Sequence, residues 1–119
     1  MIPVLEINAL NYPNLAENIW HAQMAGHPRT LTYGSNKKFN RKEAMTVREE
    51  IFNGQIPRIL SRDEYPFACT MEGGASSWVG HIPPRENSAQ GGMIAALIKR
   101  YNLKDGDSFE VRVVNYRKV

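Results

Sequence analysis

Between Arg62 and Gly92 the chain reads RDEYPFACTMEGGASSWVGHIPPRENSAQGG, and no other stretch limits its folding as strongly. Tyr65, Phe67, Cys69 and Met71 alternate, which places them on one face of a strand. Gly73-Gly74 supplies the freedom to turn. The apolar run from Trp78 to Ile82 reads as the returning strand, and Pro83-Pro84 ends it because neither proline can donate to a ladder. A helix follows Glu86-Asn87. The predicted order is therefore strand, turn, strand, helix. Folding back in this way brings Asp63, at the start, beside Glu86 and Asn87, at the end. A carboxylate facing two further oxygen-bearing side chains suits a hard divalent cation and an activated water.

With 119 residues the chain has room for about one domain, predicted to cover 1–119 with residues 1–12 as a lead-in, in which Ile2 to Leu10 reads as a short strand or an extended segment. Its basic residues outnumber its acidic ones by only 15 to 12, so charge permits an anionic partner without defining one. Cys69 stands alone, which excludes an internal disulfide and a cysteine-rich zinc site. On the alternating face it reads as a small buried apolar residue. The N-terminal MIPVLEINALNYP has neither a basic leader nor a long apolar run, so no signal peptide and no membrane span are expected.

The remaining segments read in order. Pro13 opens a helix that Leu15, Ile19 and Ala22 continue at helical spacing until Gly26. His27 follows, where a cationic ring suits the helix dipole or a substrate phosphate. Thr30 to Tyr33 is β-prone, and GSNKKF at 34–39 is a basic turn fit for phosphate or for solvent. Asn40 and Glu43 form a capping box ahead of a helix striped with Ala44, Val47 and Ile51, carrying Arg41, Lys42 and Arg48. Gly92 onward is strongly helical through Met93, Ala96, Leu97 and Arg100. After the Asp105-Gly106 turn, Phe109, Val111 and Val113 alternate as a last strand. With no internal repeat, the chain reads as a small α+β domain built on the strand-turn-strand-helix unit, with flanking helices.

RDEYPFACT, the E-G-G at 72–74, the P-R-E-N at 84–87 and the upstream Gly26-His27-Pro28 together resemble the NucA/NucB-type deoxyribonucleases of bacilli. The likeness extends from about Gly26 to the last strand. That family is similar in active-site layout to the His-Me finger, or ββα-metal, nucleases, in which a base on the first strand faces a metal held from the helix. Here an aspartate takes the place of the base histidine, and Asp63 is the matching position. The bacillar enzymes are secreted and carry cysteines absent from this chain. Related domains close large bacterial toxins delivered into rival cells, so the resemblance implies a secreted or delivered protein with a cognate immunity protein as a partner.

What the resemblance implies chemically is a metal-dependent, largely sequence-nonspecific endonuclease acting on DNA. Asp63 would take the proton from water, with Glu64 beside it strengthening the base and Glu72 as a further catalytic carboxylate. Glu86 and Asn87 would hold Mg²⁺ or Mn²⁺, the cations that oxygen ligands favour. Arg62, Arg85, Gln90 and His27 would meet the substrate, and His81 is structural or a minor contact. Each residue also has an ordinary reading. Asp63-Glu64 can be an exposed acidic turn, Glu86-Asn87 a helix cap, Glu72 a turn residue and the arginines ion-pair partners. A ribonuclease with the same site, or a basic module that binds nucleic acid without cutting it, remains as the alternative.

Overall fold

The computed structural model describes residues 2–34 and 60–117. The basic turn beyond Gly34 and the capping-box helix with Ala44, Val47 and Ile51 lie outside the described residues. In chain order the elements are β1 (Val4–Asn8), α1 (Pro13–Met24), β2 (Thr30–Thr32), β3 (Ser61–Tyr65), β4 (Trp78–Ile82), α2 (Pro84–Tyr101) and β5 (Ser108–Val114).

The apolar residues of the last strand place it in the middle of a three-stranded sheet, order β1-β5-β2. Phe109 and Val111 are fully buried there. On one side β5 runs parallel to β1, with Leu5 opposite Val111 and Ile7 opposite Val113; on the other it is antiparallel to β2. Of the two readings open for Ile2 to Leu10, a short strand or an extended lead-in, the strand is the one formed. Its Leu5 and Ile7 alternate with exposed or half-buried neighbours and enter the core.

The second sheet is the hairpin β3-β4, in which Asp63 lies opposite Gly80 and Tyr65 opposite Trp78. The return strand has the span the sequence predicts, but the outgoing strand lies earlier than the alternation through Met71 implies. Pro66 offers no N–H to continue the ladder. Beyond it the chain turns, with Thr70 Oγ1 donating to Phe67 O at 2.7 Å. Ser77 Oγ accepts from Gly74 N and donates to Pro66 O, both at 3.0 Å. Phe67 is buried even so, because it stacks on Phe109 with ring centroids 6.5 Å apart and meets the edge of Tyr65 at 5.3 Å. Met71 is exposed.

The same prolines that stop β4 start α2. Pro84 occupies the first helical turn, where a missing N–H costs nothing, so the helix begins before Glu86. It ends at Asn102, which adopts the left-handed conformation (φ 50°) that asparagine tolerates. Helix α1 packs against β1 and β5 of one sheet, β3 and β4 of the other, and α2. Leu15, Ile19 and Ala22 form its fully buried stripe.

Polar contacts then fix how the two sheets sit about this helix. Gln23 Nε2 donates to Tyr65 Oη at 3.0 Å and to Val111 O at 3.1 Å, one partner in each sheet. The Tyr65 hydroxyl donates in turn to Pro28 O at 2.6 Å. Tyr65→Phe removes the hydroxyl, which takes the donor from Pro28 O and leaves Gln23 Nε2 with Val111 O alone, so it should lower unfolding free energy by about 1–2 kcal/mol. Urea denaturation of the two proteins measures it.

Candidate active site

The register of β3 alternates Asp63 and Tyr65 inward, and Asp63 is only 1% exposed. Burying a carboxylate demands donors. Two amides provide them: Asn18 Nδ2 from α1 donates to Oδ2 at 2.7 Å, and Gln90 Nε2 from α2 donates to Oδ1 at 2.7 Å. Loss of water pushes the acid from its ordinary 3.8 up to about 6, against the opposing pull of those two hydrogen bonds and of the Glu64 backbone. The result is a base that is ionised at neutral pH yet stronger than a solvated aspartate.

Helix α2 brings Asn87 to the same place. Asn87 Nδ2 donates to Arg62 O at 3.0 Å, while its Oδ1 lies 3.4 Å from Gln90 Nε2. Gln90 therefore stands between the carboxylate and the Asn87 oxygen. Asp63 and Asn87 converge as the folding-back of the hairpin predicts. They open on a cleft of about 580 Å³ whose walls include Arg62, Glu64, Gln90 and Tyr33, with Phe67, Cys69, Ile94 and Ile98 at its apolar end. Cys69 is half-buried there rather than on a strand.

Other residues singled out in the sequence are committed elsewhere. Glu86 is 1% exposed, and its carboxylate turns toward α1 instead of the cleft. Its Oε1 accepts from the backbone N–H of Asn14 and of Leu15, each at 2.9 Å, and its Oε2 from Asn14 Nδ2 at 2.7 Å. The start of α1 explains this. Tyr12 makes no side-chain cap, Pro13 has no N–H, and Ala16 N already bonds Tyr12 O at 2.9 Å, which leaves the N–H groups of 14 and 15 to be satisfied. Glu86 is the cap of the neighbouring helix, which corrects its expected place beside a cation.

Glu72 is likewise taken, by Thr32 N and Thr32 Oγ1 at 2.8 Å each, and ties the hairpin loop to β2 outside the cleft. His27 packs its ring against Trp78, centroids 6.4 Å apart. Neither it nor the exposed Arg85 lines the cleft. Of the two arginines expected to meet phosphate, only Arg62 lies at the site.

Asn18 and Trp78 were missed. The signal was present: 15, 18 and 22 share one helical stripe, and an asparagine on a buried stripe is a poor helix former that needs a partner.

Among the described residues no cluster of three or more histidines, cysteines, aspartates or glutamates could hold a metal. Beside the Asp63 carboxylate the site's donors are oxygen: Asn87 Oδ1, Glu64 at the cleft wall, and Gln90 Oε1, a buried atom with no hydrogen-bond partner among the described residues. Few protein oxygens and an open cleft fit a hard cation that keeps most of its waters and takes its remaining ligands from substrate phosphate.

An acid on the first strand of the hairpin and an asparagine on the helix that follows thus border one cleft. The model of the family Deoxyribonuclease NucA/NucB matches residues 19–112, most of the chain. The chain belongs to that family, whose members are nuclease hydrolases. No match was found among curated proteins.

Placing Glu86 at the helix cap has a measurable consequence. Glu86→Ala leaves the buried Leu15 N–H and the part-buried Asn14 N–H without their acceptor and should cost about 2 kcal/mol, or roughly 10 °C in Tm. The Mg²⁺ concentration giving half-maximal cleavage by the folded protein should stay where it is. Thermal denaturation and a metal titration of the same variant separate a cap from a ligand.

Proposed function

We propose that the chain is a divalent-cation-dependent endonuclease that hydrolyses DNA phosphodiester bonds, with Asp63 as the group that takes the proton from the attacking water. The observation that carries this reading is the Asp63 carboxylate: buried in mid-strand at a cleft, gripped at both oxygens by neutral amides, and raised to about 6 with no cation needed to hold it. A carboxylate so placed repels a phosphate ligand, which argues against a module that only binds nucleic acid.

Asp63 accepts a side-chain amide hydrogen bond on each oxygen and a backbone one from Glu64, and of the roughly four lone-pair sites of a carboxylate this leaves one for a proton. Water oxygen forms a bond to phosphorus, the bond from phosphorus to the leaving 3′-oxygen breaks, and the proton passes to Asp63 before returning to solvent. Arg62, at the cleft wall, supplies a guanidinium able to grip a phosphate through two parallel hydrogen bonds. Asn87 Oδ1 is the group that would hold Mg²⁺ or Mn²⁺, with Glu64 and Gln90 beside it. Bound there, the cation supplies neutralisation of charge on the phosphoryl and leaving oxygens.

Asp63→Asn tests the reading through two properties that move in opposite directions. Plasmid cleavage in Mg²⁺ should be abolished. Stability should rise at pH 7.5, because an acid raised from 3.8 to about 6 contributes stability below pH 3.8 that is lost as pH climbs through 6. The gain is up to about 3 kcal/mol at pH 7.5 and shrinks at pH 4.5. The wild-type kcat/KM should fall about tenfold per pH unit below pH 6. Cleavage by Asp63→Asn at the wild-type rate would refute the assignment.

A further inference from the structure

Asn18 stands behind the proposed base, on α1, one residue before the span matched to the family. It does not line the cleft, so it reaches the reaction only through Asp63. Its amide makes two contacts of opposite sense. Oδ1 accepts from Trp78 Nε1 at 3.0 Å, and Nδ2 donates to Asp63 Oδ2 at 2.7 Å. An indole N–H can only donate. Trp78 therefore forces the amide oxygen toward itself and leaves the NH₂ as the only end that Asn18 can present to the carboxylate.

Gly80 makes the approach possible. It pairs with Asp63 across the hairpin, and a Cβ at this position would land on the Asn18 amide: the three heavy atoms nearest to it are Oδ1, Cγ and Nδ2 of Asn18. A glycine inside a strand marks such close approach. The strand, the indole and the helix thus specify one position and one orientation for a single amide group.

We propose that Asn18 is a positioning residue, which with Trp78 and Gly80 sets the direction of the Asp63 carboxylate toward the cleft. The inference rests on Asp63 being the proton acceptor. Gln90 holds Oδ1 from the cleft side and Asn18 holds Oδ2 from behind, so removal of Asn18 leaves the carboxylate free to rotate about its one remaining side-chain contact. Misplacement of a reacting group by about 1 Å is enough to cost on the order of a hundredfold in rate.

The test is steady-state cleavage of a short DNA duplex in saturating Mg²⁺, with Tm measured for every variant. Asn18→Ala should lower kcat by roughly ten- to a hundredfold while KM stays within about twofold. Gly80→Ala should lower kcat in the same direction and also lower Tm, since its methyl collides with the amide. The double variant Asn18→Ala/Gly80→Ala should recover Tm to near that of Asn18→Ala, because the colliding group is gone, with kcat no lower than that of Asn18→Ala alone. Trp78→Phe keeps the ring and removes the donor, so it should lower kcat by a smaller factor; it also serves if Asn18→Ala does not fold.

A wild-type kcat in folded Asn18→Ala, a loss confined to KM, or additive kcat losses in the double variant would overturn the proposal while leaving Asp63 as base. Cleavage by Asp63→Asn at the wild-type rate would instead overturn the reading on which it rests.

Discussion

Two carboxylates withdrawn from water, Asp63 and Glu86, are the constraint around which the rest of this molecule is arranged. A buried anion without donors costs several kcal/mol, a large share of the roughly 5–15 kcal/mol by which a domain is stable. Here the donors are amides, from Asn18 and Gln90 in one case and from Asn14 and the start of α1 in the other. That choice of partner matters. A guanidinium or ammonium beside Asp63 would hold it more tightly but would lower its basicity, whereas an amide holds it and leaves the effect of burial in place.

Helix α1 gains its importance from this requirement. Asn14 answers Glu86, Asn18 answers Asp63 and Gln23 answers Tyr65, so three amides along one helix address the start of α2 and two inward residues of β3. Residues 14 and 18 lie one turn apart on a common face. The apolar stripe of Leu15, Ile19 and Ala22 supplies burial, which has no direction. The amides fix the angle and the height at which the helix rests on the hairpin. A slip of one residue would leave two buried carboxylates facing apolar side chains, an outcome more costly than any lost van der Waals contact.

Much of this fold was legible in the sequence because the signals were local. Pro13 and Gly26 bracket α1, Pro83-Pro84 separates β4 from α2, and the alternation at Phe109 and Val111 marks β5. The convergence of Asp63 with Asn87 followed from chain reversal alone. What stayed hidden depended on partners distant in sequence. The strand at Val4–Asn8 is defined by a parallel neighbour more than a hundred residues on, and local pattern left it open between a short strand and an extended segment. The alternation of Tyr65, Phe67 and Cys69 suggested strand because aromatic packing buries Phe67 in a turn as readily as a ladder would. Glu86 looked like a cation ligand beside Asn87 for a similar reason. Nothing near residue 86 reveals that Tyr12 leaves α1 uncapped.

Asp63 and Glu86 are equally buried, and the difference between their donors separates a group that can react from one that only supports. Glu86 receives two backbone N–H groups and a side-chain amide, all at the positive end of a helix dipole, so its charge is satisfied from three directions and points away from the cleft. Asp63 receives a side-chain amide on each oxygen and a backbone N–H from Glu64, and lies in the cleft wall. Glu86 is committed to the end of a neighbouring helix, whereas Asp63 is held in direction with a lone pair left toward the cleft. On the proposed reading that is what suits it to act as a base, and the Asn18 amide, oriented by Trp78 and admitted by Gly80, is the contact on which that orientation rests.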